Sequence, residues 1–165
     1  MAVDVSVPEQ DVGCYGVSTA RFFAGAEPES VRARARFGPT GVDLTLTASL
    51  EFPDGVLASI DCSFEQPFRC VYELVGTRGV IDVPDAYLPP MKHKPIARLR
   101  TIGSASDSDA GTDLIKNLEF EMADQYAAMI DSFATSVAAG RLVEPAEDGL
   151  AQMKALDAIM EAARS

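Results

Sequence analysis

The sequence predicts an α+β fold: a two-layer domain with an open, predominantly antiparallel sheet and helices packed on one face. Three observations predict it. From Ser30 onward apolar and polar residues alternate with period two through three successive segments. Short turns join those segments, which suits hairpins and not crossovers. Helical periodicity returns at the C-terminal end of the chain, and the two helices there must supply the second layer over the sheet's apolar side.

The elements follow in order. Asp11–Gly25 (DVGCYGVSTARFFAG) reads as a helix, with Asp11 able to cap its first turn and Gly25 to end it. Its expected buried stripe is Val12, Tyr15, Thr19, Phe22 and Phe23. Gly13 and Gly16 each weaken that helix by about 1 kcal/mol relative to alanine. Glycine at such a place often permits a close approach to the backbone.

In the first strand Val31, Ala33, Ala35 and Phe37 alternate with Arg32, Arg34 and Arg36. In the second, Val42, Leu44, Leu46, Ala48, Leu50 and Phe52 alternate with Asp43, Thr45, Thr47, Ser49 and Glu51. After the turn Pro53-Asp54-Gly55, a third runs from Val56 to Glu65 with Val56, Ala58, Ile60, Cys62 and Phe64 on its apolar side. One apolar and one polar face mean a sheet covered on one side only. Cys70, Tyr72 and Leu74 continue the meander, and Gly76-Thr77-Arg78-Gly79 turns it into Val80–Val83. A proline-rich connection, 84–94, precedes strands at Ile96–Ile102 and Leu114–Phe120, which are separated by a Ser/Asp/Gly segment, 103–112, with the composition of a mobile loop. Tyr126, Met129, Ile130, Phe133 and Val137 then mark a helix ended by Gly140. Pro145 opens a last helix with Leu150, Met153, Leu156, Ile159 and Met160 as its expected buried side.

Composition narrows the function. Hydrophobic residues make up 47% and charged residues 24% of the 165 residues, which is ordinary for a folded domain. Fourteen basic and 25 acidic side chains give a net charge of −11, which excludes a nucleic-acid partner because the surface would repel phosphates. No apolar run reaches the roughly 20 residues of a membrane helix, and a soluble, cytoplasmic protein is expected. Cys14, Cys62 and Cys70 show no C-x-x-C spacing and the chain has one histidine, so zinc sites and a secreted disulfide scaffold are not expected. Cys62 and Cys70 fit a reduced pair of small core residues.

The stretch with chemistry in it is Asp11-Val12-Gly13-Cys14-Tyr15. Residues four apart share a helix face, so the Asp11 carboxylate and the Tyr15 phenol point the same way. A phenol there can exchange a proton with a substrate oxygen, and a carboxylate beside it can hold a substrate hydroxyl or tune the phenol. The same pair also suits a plain N-cap and an amphipathic core tyrosine. His93 sits in a lysine-flanked loop with no companion acid or nucleophile. The arginine stripe is expected to pair with Asp43, Glu51 or Asp61 across the sheet. Ser63 and Arg69, near a strand end, are weaker candidates for a sugar hydroxyl. No glycine-rich turn from a strand into a helix is present to cradle a dinucleotide.

The run from Asp11 to Phe23, DVGCYGVSTARFF, resembles the second motif of the glucose-fructose oxidoreductase, inositol dehydrogenase and MocA family, in which aspartate is followed four residues later by tyrosine or histidine. The resemblance continues through Glu27-Pro28, Gly41-Val42-Asp43, Phe52-Pro53-x-Gly55, Cys62-Ser63-Phe64, Tyr72–Gly79 and Pro145-x-Glu147-Asp148-Gly149-Leu150. It is similar above all to the branch with dihydrodiol dehydrogenases and sugar 1-dehydrogenases. The resemblance implies a C-terminal domain over residues 1–165 that binds a carbohydrate-like substrate and forms a homodimer through its open sheet face. It implies Tyr15 at the proton-transfer position and Asp11 at the supporting or substrate-contacting one. It also implies an N-terminal Rossmann domain carrying NAD or NADP, which these residues do not contain. Two departures stand out: Val5–Gln10 replaces the family's glycine-rich lead-in, and no lysine lies in an E-K-P setting. The chain alone is therefore expected to bind no cofactor and to transfer no hydride. A stand-alone, non-catalytic ligand-binding or dimer-forming module derived from the family is the alternative.

Overall fold

The alternating segments after Ser30 pair into antiparallel ladders. In the computed structural model, residues 12–88, 92–102, 113–143 and 145–165 are described. Helix α1 spans Cys14–Ala24, followed by strands β1 (Ser30–Phe37), β2 (Asp43–Glu51), β3 (Leu57–Ser63), β4 (Tyr72–Gly76), β5 (Gly79–Val83), β6 (Ile96–Ile102) and β7 (Asp113–Glu119). Helices α2 (Gln125–Ala139) and α3 (Ala146–Arg164) close the chain. The fold class is α+β with open antiparallel sheets, ordered β1-β2-β3 and β4-β5-β6-β7. Two compact units result: the described residues up to Pro67 together with Leu142–Ser165, and Phe68–Arg141. The 103–112 segment and residues 89–91 lie outside the described residues, as does Val5–Gln10.

In the first unit the pleat sorts side chains by face. Ala33 pairs with Ala48 and Ala48 with Ile60; Ala35 pairs with Leu46 and Leu46 with Cys62. That face joins Val17, Leu46, Leu50 and Ile159, all almost fully buried, with Phe52, Ala155, Leu156 and Met160 in one core. Each fully buried aliphatic side chain contributes about 1.5–3 kcal/mol. Helix α3 therefore covers the apolar side as predicted, but its companion is α1; α2, expected beside α3, belongs to the second unit. On α3 the covered stripe is Ala155, Leu156, Ile159 and Met160, whereas Leu150 and Met153 of the expected stripe are exposed. The opposite face carries rows Arg32–Ser49–Ser59, Arg34–Thr47–Asp61 and Arg36–Thr45–Ser63. The β2–β3 hairpin turns through a 3-10 helix at Pro53–Gly55, where the Phe52 N–H donates to the Val56 carbonyl at 2.8 Å.

In the second unit Leu74, Ile81, Leu99 and Lys116 form one row of the ladder, and Glu73, Asp82, Arg98 and Asn117 another on the opposite face. Ion pairs tie that polar face, with Arg98 to Asp82 at 3.1 Å and Arg100 to Glu73 at 3.9 Å. Helix α2 is capped by the Asp124 carboxylate, which accepts from the N–H groups of Tyr126 and Ala127. Its predicted stripe is periodic but uncovered: Tyr126, Met129, Ile130, Phe133 and Val137 are all exposed. Helical periodicity reveals an apolar face; it does not reveal what lies against it.

Candidate functional site

Helix α1 carries the residue singled out for chemistry, and its orientation follows from side-chain size. Cys14, Val17, Ala20 and Ala24 face the sheet core, and Arg21 is buried as well. These side chains are mostly small, so the helix lies close on β3: a Cβ added at Gly16 would stand 3.1 Å from Ile60 Cγ2. The expected reason for an internal glycine, a close approach to the backbone, is thus met by the sheet itself. The helix ends at Gly25, whose φ of 64° lies in the left-handed region and whose N–H donates to the Arg21 carbonyl.

That orientation corrects the expected stripe. Val12, Tyr15, Phe22 and Phe23 turn outward, and Phe22 is 77% exposed. Phe22 and Phe23 meet edge to face with ring centroids 5.1 Å apart. A helix with two apolar faces leaves its sequence pattern ambiguous, and the face of small residues wins the sheet because it packs at closer range. Tyr15, two residues after the α1 N-cap at Gly13, is 51% exposed. It is not a core tyrosine. Asp11 lies outside the described residues, so the expected pairing of its carboxylate with Tyr15 has no described geometry.

Behind α1 is a polar cluster that sequence reasoning missed. The Arg21 guanidinium, 7% exposed, donates from Nε to Glu27 Oε2 and from Nη2 to Glu27 Oε1, both at 2.8 Å. Nη2 also donates to Asp148 Oδ1 at 2.7 Å, and Nη1 to Gln152 Oε1 at 2.8 Å. The Gln152 amide then donates from Nε2 to the Cys14 carbonyl at 2.9 Å. Hydrogen bonding from Arg21 holds the Glu27 carboxyl below the usual carboxylate range, and the two carboxylates hold the guanidinium protonated beyond its already high value. A buried arginine needs such partners, since a lone charge in the interior is costly. The only signal in the sequence was that Glu27 and Asp148 fall inside the motif segments, 121 residues apart in numbering; nothing local pairs either with Arg21.

The remaining candidates are tied into structure or stand in loops. Ser63 Oγ lies 2.7 Å from Thr45 Oγ1 and 3.2 Å from the Leu44 carbonyl, so its hydroxyl serves the β2–β3 ladder. Among the arginines of β1, Arg36 pairs with Glu65, which the expectation did not include. Arg69 and His93 are exposed. None of the three cysteines forms a disulfide. Among the described residues no group of three metal-ligating side chains occurs, and no helix is long and apolar enough to cross a membrane. Among the described residues, α2 and α3 begin after N-caps at Asp124 and Pro145, with no glycine-rich turn leading in from a strand.

Residues 9–82 match a family model described as the GFO/IDH/MocA C-terminal domain. The chain is 28% identical over 156 residues to D-xylose 1-dehydrogenase (NADP(+)) 2 of Haloferax volcanii, covering 94% of this chain and 45% of that protein. It is 37% identical over 71 residues to trans-1,2-dihydrobenzene-1,2-diol dehydrogenase of Oryctolagus cuniculus, covering 42% of this chain and 22% of that one. A solved 3-ketoreductase from Actinomadura kijaniata, in complex with TDP-benzene and NADP, superposes with a TM-score of 0.82 at 26% identity, covering 94% of this chain and 47% of that one. The chain thus spans less than half the length of these relatives.

Proposed function

Because residues 9–82 of this chain belong to the GFO/IDH/MocA C-terminal domain family, we propose that it is the substrate-facing and dimer-forming part of an NAD(P)-dependent oxidoreductase acting on sugars, polyols or cyclic diols. The observation that carries the proposal is Tyr15, which stands at the start of α1 with its phenol turned out of the core within the matched region. An amphipathic core tyrosine would be covered; the half-exposed side chain of Tyr15 supports the reading that it faces a substrate.

In this reading Tyr15 exchanges a proton with the reacting substrate oxygen, and Asp11 holds a substrate hydroxyl or supports the phenol. The nicotinamide cofactor supplies hydride chemistry and is held by a nucleotide-binding half, because the described residues here do not fit it. The D-xylose 1-dehydrogenase and dihydrobenzenediol dehydrogenase relatives support the substrate class. A two-fold dimer through the outer face of the β1–β3 sheet supplies the assembly, since small hydroxyl side chains at Thr47, Ser49 and Ser59 let a second sheet approach.

The test compares two preparations. The chain alone, given NAD+ or NADP+ with aldoses, inositols and cyclic diols, yields no reduced cofactor. The same chain joined to its nucleotide-binding half turns over at least one of these substrates. Sustained turnover by the chain alone, or none on any of these substrates by the joined protein, contradicts the proposal.

A further inference from the structure

We infer that Gln152 and Arg21 are positioning residues for Tyr15, acting through the first turn of α1. The inference rests on the proposed role of Tyr15 but on separate observations. Arginine has donors only, so its Nη1 at 2.8 Å requires that the Gln152 side-chain oxygen face it. The Gln152 NH2 must then point the other way, and it reaches the Cys14 carbonyl at 2.9 Å. Glu27 and Asp148 hold the guanidinium from its other edge, at 2.8 and 2.7 Å. The amide is therefore locked in one of its two orientations by a charge that is itself fixed on two sides.

The carbonyl so held belongs to the peptide unit that joins Cys14 to Tyr15. Gly13, at the N-cap position of α1, offers no side chain to hold this end of the helix, and its own backbone is helical, with φ −69° and ψ −29°. A cap accepts from free N–H groups; this donor from α3 instead gives a first-turn carbonyl a second partner, which ties the first turn of α1 to α3 and fixes the direction in which the phenol leaves the helix. The clamp crosses from α3 to α1 within one compact unit. Substrate oxygens must sit within hydrogen-bond reach of the phenol, and a misplacement of about 1 Å can cost on the order of 10²-fold in rate.

The experiment uses two variants that separate the clamp from fold stability. Gln152→Glu keeps an acceptor for Arg21 but removes the donor to the Cys14 carbonyl; Gln152→Leu removes both. In the 165-residue chain, Gln152→Glu should speed amide exchange in α1's first turn, at 14–18, by roughly 2- to 10-fold, the loss of one hydrogen bond. Amides of β2 should be unchanged and the melting temperature should move little. In the enzyme joined to its nucleotide-binding half, Gln152→Glu should lower kcat on the order of tenfold with KM nearly constant. Gln152→Leu should lower kcat as well and also reduce stability. Unchanged exchange at 14–18 in Gln152→Glu overturns the inference. So does an unchanged kcat in Gln152→Glu when Tyr15→Phe is strongly impaired, which leaves the role of Tyr15 intact. If Tyr15→Phe retains full activity, the role of Tyr15 falls and the inference falls with it.

Discussion

Charge at Arg21 is bound asymmetrically. The guanidinium is 7% exposed, whereas its partners Glu27 and Asp148 are 54% and 74% exposed. Removing the arginine returns two carboxylates to water, but removing both acids leaves a cation in the interior. Replacing Arg21 with methionine should therefore cost less stability than the double change Glu27→Gln with Asp148→Asn, which should cost on the order of 3 kcal/mol. Denaturant titration of the two variants checks the order; the reverse order contradicts it. The pH dependence has a definite sign. Glu27 is more acidic in the folded chain than its unfolded value of about 4.3, so its contribution is present above that value and is lost as pH falls through the lower, folded one. Arg21 stays protonated throughout and adds no dependence there. Melting temperature in the wild type should decline on acidification below about pH 5, and Glu27→Gln should flatten part of that decline. Equal slopes for the two proteins would show that the ion pair is not coupled to folding.

At the scale of elements, the close seat of α1 on β3 makes Gly16 a sensitive point. A Cβ there already meets Ile60 Cγ2 at 3.1 Å, so Gly16→Val adds branched carbons where the sheet leaves no room. Despite the better helix propensity, the variant should lose about 1–3 kcal/mol, measured by thermal or denaturant unfolding. A stability equal to wild type would mean that α1 rides further from the sheet. The strands were legible in the sequence because period two admits one register of faces: Leu46, Ala48 and Leu50 had to point together. The face of α1 was not. Cys14, Val17 and Ala20 compete with Tyr15, Phe22 and Phe23, and apolarity alone ranks the aromatic face first. Packing distance decides the other way. The Arg21 cluster was invisible for a different cause, since Gln152 and Asp148 reach it through tertiary folding across more than 120 positions. The capping of α2 by Asp124 follows a local rule, but whatever partner its exposed Phe133 and Ile130 suit lies beyond any pattern within the helix.

For the whole molecule, the outer face of the β1–β3 sheet bears on assembly. Arginines at 32, 34 and 36 line one edge strand, hydroxyls run down β2, and Asp61 stands on β3 in the Arg34 row. Charges thus run across the face. A two-fold axis on this face can bring the arginine edge of one copy toward the acidic edge of the other. Light scattering at micromolar concentration should give about twice the 17.6 kDa chain mass. Thr47→Arg adds a cation beside Arg34 at the centre of the face and should give monomers. A monomeric wild type at high concentration would make this face ordinary surface.

The central claim concerns Tyr15, and steady-state kinetics of Tyr15→Phe in the enzyme joined to its nucleotide-binding half tests it most directly. The change deletes one hydroxyl from a side chain that is 51% exposed, so folding should be nearly untouched. The account predicts a fall in kcat of ~10²–10⁴-fold with a melting temperature close to that of wild type. Full activity in the variant would contradict it and return Tyr15 to an ordinary residue on the outer side of α1.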